Sequence, residues 1–236
     1  MISVVCWKWA APNKERAFKS AHVNVLRSQI DRCLPEPHRF ICITDDARGL
    51  DSSIEVVPLP VTKLEHLLSP HGEGFPSCYR RLWVFSREAR AILGERIFCT
   101  DIDAVYCRDI RPIVHRTEDF VGWCDHRFNW NKIAGGCYLL RTGTMPHVWE
   151  EFDPRTSPAR AFAAGNSGSD QGWMSYRMYP PAGTWTKQDG ITKLRWTPKH
   201  MKEPPPHVRI AFTSGVFPPW HPEVMRNWPW VKEHWR

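Results

Sequence analysis

No run in this chain approaches the roughly 18 consecutive apolar residues that a membrane-crossing helix needs. Its opening, MISVVCWKW, lacks a basic segment followed by a long apolar one. It therefore reads as a first strand rather than a secretion signal, and the expected location is cytoplasmic. Among the eight cysteines there is no Cys-x-x-Cys pair and no zinc-type spacing with histidines. Cys6, Cys42, Cys99 and Cys124 fall inside apolar strand-like runs, where cysteine acts as a small hydrophobe, so they are read as reduced core residues. A glycine-rich phosphate loop is missing, as is a second acidic cluster of the two-metal kind, which argues against nucleotidyltransferase and phosphohydrolase chemistry. Internal repeats, low-complexity tracts and linkers are absent too, leaving residues 1–236 as one domain.

What is present is an ordinary globular composition of 236 residues, 42% hydrophobic and 24% charged, with a formal net charge of +7. Such a surface attracts anions: nucleic acid, acidic lipid headgroups and nucleotide diphosphates are the candidate partners. Thirteen tryptophans, several beside prolines and basic residues in the last third, suit either stacking on sugars and bases or core filling. A basic, Trp-rich module that binds nucleic acid or polysaccharide is thus one reading of the chain. Against it, the tryptophans are scattered rather than interleaved with basic residues on one surface, so no stable nucleic-acid partner is expected.

Along the chain, residues 2 to 7 read as a first strand. Pro12-Asn13 opens a helix with Phe18, Ala21, Val25, Leu26, Ile30 and Cys33 at helical spacing, stopped by Pro35 and Pro37. Strands over residues 40 to 44, closing in Asp45-Asp46, and 54 to 57 follow. Strand, helix, strand is the opening of an α/β fold whose crevice lies beyond the strand ends. Residues 61 to 76, with two prolines and two glycines, read as a loop over that crevice. Ser77 then caps a helix with Leu82, Phe85, Ala89 and Ile92 on one face, Gly94 past its end, and Arg80 and Arg81 in its first turn. Later strands are expected at 120 to 124, 136 to 140, 191 to 196 and 208 to 212, and helices at 145 to 152 and from Ser169 onward. Residues 153 to 168 read as a loop, and the tail beyond Gly215 shows no strong period.

The stretch RIFCTDIDAVYCR, residues 96 to 108, organises the rest. An apolar strand ends in Asp101-Ile102-Asp103, and in extended backbone residues i and i+2 point the same way, so both carboxylates can converge on one target while Ile102 turns inward. Mg²⁺ or Mn²⁺ carrying a diphosphate suits such a pair. The alternative is a structural turn, since aspartate makes good turns.

The order of VVCWKW, FICITDD, YRRLWVF, FCTDIDAVY, IAGGCYLLRTG, SGSDQGW and FTSGVFPPW resembles the metal-dependent glycosyltransferases of the GT-A fold, particularly the family 8-like group with nucleotide-sugar donors. The resemblance runs from about Val4 to Trp220 and implies a Rossmann-like, mixed but mainly parallel sheet flanked by helices. It makes residues 1–110 a nucleotide-binding half ending in the acidic pair, and residues 111–236 an acceptor and sugar half with a C-terminal lid. It implies transfer of a sugar from a UDP-type donor to a hydroxyl acceptor (a glycan, a lipid-linked or a small molecule), with retention favoured. Peripheral association with an anionic membrane suits the positive charge. By the same resemblance Asp101 and Asp103 hold Mn²⁺ or Mg²⁺, Arg81 reaches the diphosphate, and Trp7, Lys8, Thr44 and Asp45 stand where base and ribose are held. Asp125, Gly135, Gly136, Asp170 and Gln171 surround donor sugar and acceptor, with Asp170 and Gln171 open to either positioning or nucleophilic roles.

One departure stands out. The family's His-x-x-Gly-x-x-Lys-Pro-Trp keeps Gly215, Pro219 and Trp220 here, but Phe212 stands at the His position and Pro218 at the Lys position. A third metal ligand would then be His221, Ser214 or water.

Overall fold

The computed structural model describes residues 1–10, 18–60, 62, 78–124, 132–166, 169–213 and 217–236. The loop of 61 to 76 and the Ser77 cap fall mostly outside those residues, and so does Pro12-Asn13, but the first helix starts at Ser20, after an extended Lys19, so Phe18 precedes it rather than lying on it. All seven residues of β1 (Ile2–Lys8) are buried, as a strand covered on both faces requires. Alternation divides them: Val4 and Cys6 join Val23, Leu26 and Ile30 of α1 (Ser20–Cys33), while Val5 and Trp7 join Leu82, Trp83 and Phe85 on the opposite face. β2 (His38–Thr44) and β4 (Arg96–Thr100) flank β1, both parallel to it, and β3 (Glu55–Pro58) extends the sheet beyond β2. Past β4 come β7 (Ala134–Arg141), antiparallel to β4, then β6 (Phe120–Trp123), antiparallel to β7, and β8 (Gly183–Trp185), parallel to β6. The seven-stranded order is β3-β2-β1-β4-β7-β6-β8, so the chain switches sides at β1 and β4. A crevice outside the carboxyl ends of these two strands is where open α/β sheets bind ligands.

Only Asp101, Ile102 and Asp103 separate β4 from β5 (Ala104–Tyr106), the first strand of a small sheet ordered β5-β10-β9 with β9 (Ile191–Lys193) and β10 (Ile210–Phe212). Gln29 of α1 ties this sheet to the main body: its Oε1 accepts from Tyr106 N at 2.9 Å. The tail is ordered by apolar burial. Trp228, Trp230, Val231 and Trp235 pack with Val105, Leu194, Ala211 and Val224 as a third core cluster, carried on α7 (Pro222–Asn227) and α8 (Trp230–His234).

Three expectations are corrected. The single helix before β4 is two pieces, a 3-10 helix Cys78–Phe85 and α2 (Ala89–Leu93). The tighter first piece, with three residues per turn, shifts the register so that Leu93 is buried and Ile92 is exposed. Gly94, at φ 89°, ends α2 as expected. The supposed loop of 153 to 168 contains α5 (Ser157–Ala163), started by a proline in its first turn, where the missing N–H costs nothing. Strand β8 had no separate signal, and the late strands are shorter than read, with residues 194–196 turning into a 3-10 helix. The remaining helices are α3 (Arg111–Val114), α4 (His147–Glu150) and α6 (Asp170–Met178), the last beginning after Ser169 as expected.

Candidate functional site

At the end of β4 the backbone turns sharply, and Asp101 N donates to Gly136 O at 2.9 Å. Ile102 is buried in the core, so the two flanking carboxylates face away from it. Each is held by a different part of the chain. Asp101 Oδ1 accepts from Arg81 Nη1 at 2.5 Å. Asp103 Oδ2 accepts from the Thr213 hydroxyl at 2.8 Å, one residue past β10. Arg81 also donates from Nε and Nη2 to the two oxygens of Asp170, at 2.7 and 3.2 Å. That carboxylate, in the first turn of α6, is 1% exposed. Its neighbour Gln171 accepts from Gly135 N at 3.1 Å through Oε1. One guanidinium thus joins the 3-10 helix, the β4 end and α6, and a bidentate fork of this kind fixes direction as well as charge.

Burial sets the electrostatics. It pushes the Asp101 carboxyl up to about 7, helped by Asp103 and Asp170 and opposed by Arg81. Asp103 is raised as well, by burial against the Thr213 hydrogen bond. Burial works against the Arg81 charge, but Asp170 and Asp101 outweigh it and hold Arg81 well above its ordinary value.

Beside this cluster lies a cavity of about 300 Å³, lined by Trp7, Trp9, Phe18, Cys78, Arg81 and Thr100 together with residues 101–103. Trp7 and Trp9 meet edge to face at 6.4 Å. The Trp7 Nε1 is buried with no hydrogen-bond partner among the described residues. Lys8, Thr44 and Asp45 build the strand ends next to it: Lys8 Nζ donates to Asp46 O at 2.6 Å, Thr44 Oγ1 accepts from Asp46 N at 3.1 Å, and Asp45 accepts from Ala10 N at 2.9 Å.

No protein-family model matches the chain, and no curated protein matches it. Solved structures do. A galactosyltransferase, LgtC, in complex with donor and acceptor sugar analogs aligns over 99% of this chain and 93% of its own, at TM-score 0.63 and 12% identity. An active-site mutant of LgtC aligns over 94% and 90%, at TM-score 0.58 and 11% identity. The apo-form glycosyltransferase GlyE of Streptococcus pneumoniae TIGR4 aligns over 93% of this chain and 56% of its own, at TM-score 0.59 and 10% identity. The chain has the GT-A glycosyltransferase fold.

Within this GT-A frame, Trp7, Arg81, Asp101 and Asp103 line one cavity, and Gly135, Asp170 and Gln171 are linked to it through Arg81. Gly136 lies alongside: a Cβ there would stand 3.4 Å from Asp101 Oδ2 and 3.1 Å from the Phe212 ring. Phe212, at the family's histidine position, stacks on Trp123 at 4.9 Å, so an aromatic pair fills that place. His221 is engaged elsewhere. It caps α7 by accepting from Glu223 N at 3.2 Å and stacks on Phe217 at 3.9 Å. Among the described residues, no three His, Cys, Asp or Glu side chains stand together as a metal cluster. Asp125, Ser214 and Gly215, with the middle of the lid, lie outside the described residues.

The donor set nonetheless fits a hard divalent cation in part: two carboxylates line the same cavity, and the glycine at 136 leaves Asp101 Oδ2 without a side chain pressed on it. Water and phosphate oxygens would complete such a shell. Sequence reasoning missed four contributors. Thr213, present in the FTSGVFPPW stretch but given no role there, orients Asp103. Trp9 and Phe18 wall the cavity. Lys193, a lone cation in an apolar strand, pairs with Phe212 across β9 and β10 and lies over Trp123 at 5.9 Å and Trp196 at 4.9 Å.

Proposed function

We propose that this protein is a metal-assisted glycosyltransferase that moves a sugar from a nucleotide-diphosphate donor of the UDP-sugar type to a hydroxyl acceptor, with retention at the transferred carbon. The observation that supports it most is the Arg81 bridge between Asp101 and Asp170 at the carboxyl ends of β1 and β4, in a GT-A fold. Departure of a nucleoside diphosphate builds negative charge, and Mn²⁺ or Mg²⁺ on Asp101 and Asp103 would neutralise part of it. The protein's own groups supply the rest. Arg81 presents a guanidinium beside the acidic pair, and Asp170, with both oxygens on Arg81, fixes its direction. Thr213 holds Asp103 through its Oδ2. Gln171 uses Oε1 on the backbone of Gly135, which aims its amide nitrogen as a donor for a sugar hydroxyl. Trp7 and Trp9 offer aromatic surface to a base, and Lys8, Thr44 and Asp45 order the ends of β1 and β2.

The binding-module reading has no support of this kind. Eight of the thirteen tryptophans (7, 83, 123, 173, 185, 228, 230 and 235) are buried, and no described tryptophan is exposed as a stacking platform would need.

A donor screen by nucleotide release, with Mn²⁺ present and absent, tests the proposal. The expected result is metal-dependent release from a UDP-sugar, with Arg81→Ala weakening donor binding or turnover more than Arg80→Ala. Absence of release from every nucleotide sugar, with no thermal stabilisation by Mn²⁺ plus UDP, would refute it.

A further inference from the structure

One guanidinium, that of Arg81, joins two carboxylates here, Asp101 and Asp170, and Asp103 lines the same cavity. Arg81 is pinned from two sides. Its Nε and Nη2 hold Asp170, 1% exposed, which would be left as a buried unpaired charge if the guanidinium withdrew. A Cβ on Gly135 would lie 3.0 Å from Nη2, so the guanidinium fills space that any other residue at 135 would claim. The third donor, Nη1, is then delivered to Asp101 Oδ1 at 2.5 Å. Half of the acidic pair is therefore already paired with a cation belonging to the chain, whereas Asp103, among the described residues, accepts from a neutral hydroxyl.

We propose that Arg81 is the resident counter-ion of Asp101, that a divalent cation must compete with it for that carboxylate, and that Asp170 is the positioning residue that keeps it there. This rests on the reading of Asp101 and Asp103 as a metal pair. The free protein then binds metal weakly, with one of its two carboxylates engaged. A diphosphate offers Arg81 another set of oxygens, which releases Asp101 toward the metal. Nucleotide and metal each strengthen the other's binding, as linkage requires when one group is shared between two sites. Phe212, in the place of the family's histidine, makes this coupling matter more, because no imidazole stands there to hold the metal by itself.

The test is Mn²⁺ binding without nucleotide, followed by isothermal titration or by the spectroscopic signal of free Mn²⁺. The decisive variant is Arg81→Gln/Asp170→Asn. It removes one positive and one negative charge, so the net charge of the cluster is unchanged, and it leaves no unpaired carboxylate at the buried position 170, while Asp101, which opens onto the cavity, is left free for the metal. It should bind Mn²⁺ about tenfold more tightly than the parent, the scale of one charge-assisted contact, and should bind UDP alone more weakly. Arg81→Gln alone should move both affinities in the same directions, and serves if the double variant does not fold. A folded variant of either kind that binds Mn²⁺ no more tightly than the parent overturns the counter-ion role. Failure of the underlying reading shows itself separately: Asp101→Asn would leave Mn²⁺ binding by the parent unchanged.

Discussion

β4 carries arginine and carboxylate pairs at both ends, and burial gives the two ends opposite electrostatics. Where the strand begins, Arg96 donates to the carbonyls of Glu118 and Arg116, Arg116 pairs with Glu118, and Arg141 bridges Asp119 and Glu95. These pairs lie at the surface, with the Asp119 side chain 52% and the Glu95 side chain 57% exposed, whereas at the other end Arg81 is 14% and its partner Asp170 1% exposed, and Asp101, at 32%, opens onto the cavity. The Arg116 hydrogen bond holds Glu118 down to about 2. Where the strand ends, a pairing of the same type leaves Asp101 pushed up to about 7, because burial there outweighs the guanidinium. A carboxylate with an arginine beside it is thus not one thing. At the start of β4 the pairs are surface clasps, and at its end one guanidinium joins a buried carboxylate, Asp170, to one that opens onto the cavity, Asp101, the condition in which a small change in ligand or partner has a large effect.

The largest effect should come from removing the charge at the buried end. Asp101→Asn/Asp103→Asn should keep the fold and abolish metal-dependent nucleotide binding, since amides are poorer ligands for hard cations and bring no charge. Isothermal titration of UDP with Mn²⁺ reads this directly, and parental affinity in the double variant would break the contrast between the two ends. Next comes stability. Asp170→Asn takes one partner from a buried pair and should cost about 3 to 5 kcal/mol in urea unfolding, whereas Glu118→Gln at the other end should cost about 0 to 1 kcal/mol. Equal costs would mean that burial does not separate them.

Thr213→Val probes the second carboxylate. It removes one hydrogen bond to a charged group, for which about 1.5 to 3 kcal/mol is the upper scale, and it should weaken metal-dependent nucleotide binding roughly tenfold with little change in melting temperature. Thr213→Ser should restore binding, because the hydroxyl alone carries the contact to Asp103. A loss that serine does not rescue would assign Thr213 to packing instead.

Much of the buried end could be read from residues 96 to 108 alone. The strand, the turn of two aspartates and the inward Ile102 follow from period-2 alternation, which is local. Family resemblance added Arg81, Asp170 and Gln171 as residues but not their contacts, since Arg81 and Asp170 are 89 positions apart and Asp103 and Thr213 are 110 apart. Lys193 was visible as one of two cations in ITKLRW, but the face it shares with Phe212 depends on a register between two three-residue strands. The tail failed for a related reason. Helices of six and five residues are too short to display a period, and what orders Trp228, Trp230 and Trp235 is the cluster they form with strands from elsewhere.

The smallest effect belongs to the exposed end and concerns acid. Glu118 has an ordinary value of 4.5 and is held at about 2 in the folded chain, chiefly by the Arg116 hydrogen bond. A carboxyl whose value is lowered by folding binds fewer protons folded than unfolded. Its stabilisation is therefore fully present above about 4.5 and is lost as pH falls toward about 2. Because the pair is a surface one, solvent and salt screen it, so the slope it contributes is shallow and should flatten further as ionic strength rises. Urea unfolding at a series of pH values between these limits, at low and high salt, should show the parent losing slightly more stability on acidification than Glu118→Gln, with the difference shrinking in salt. An identical acid slope in the two proteins would mean that Arg116 and Glu118 remain paired after unfolding, and a larger slope in the variant would reverse the sign assigned to this end of β4.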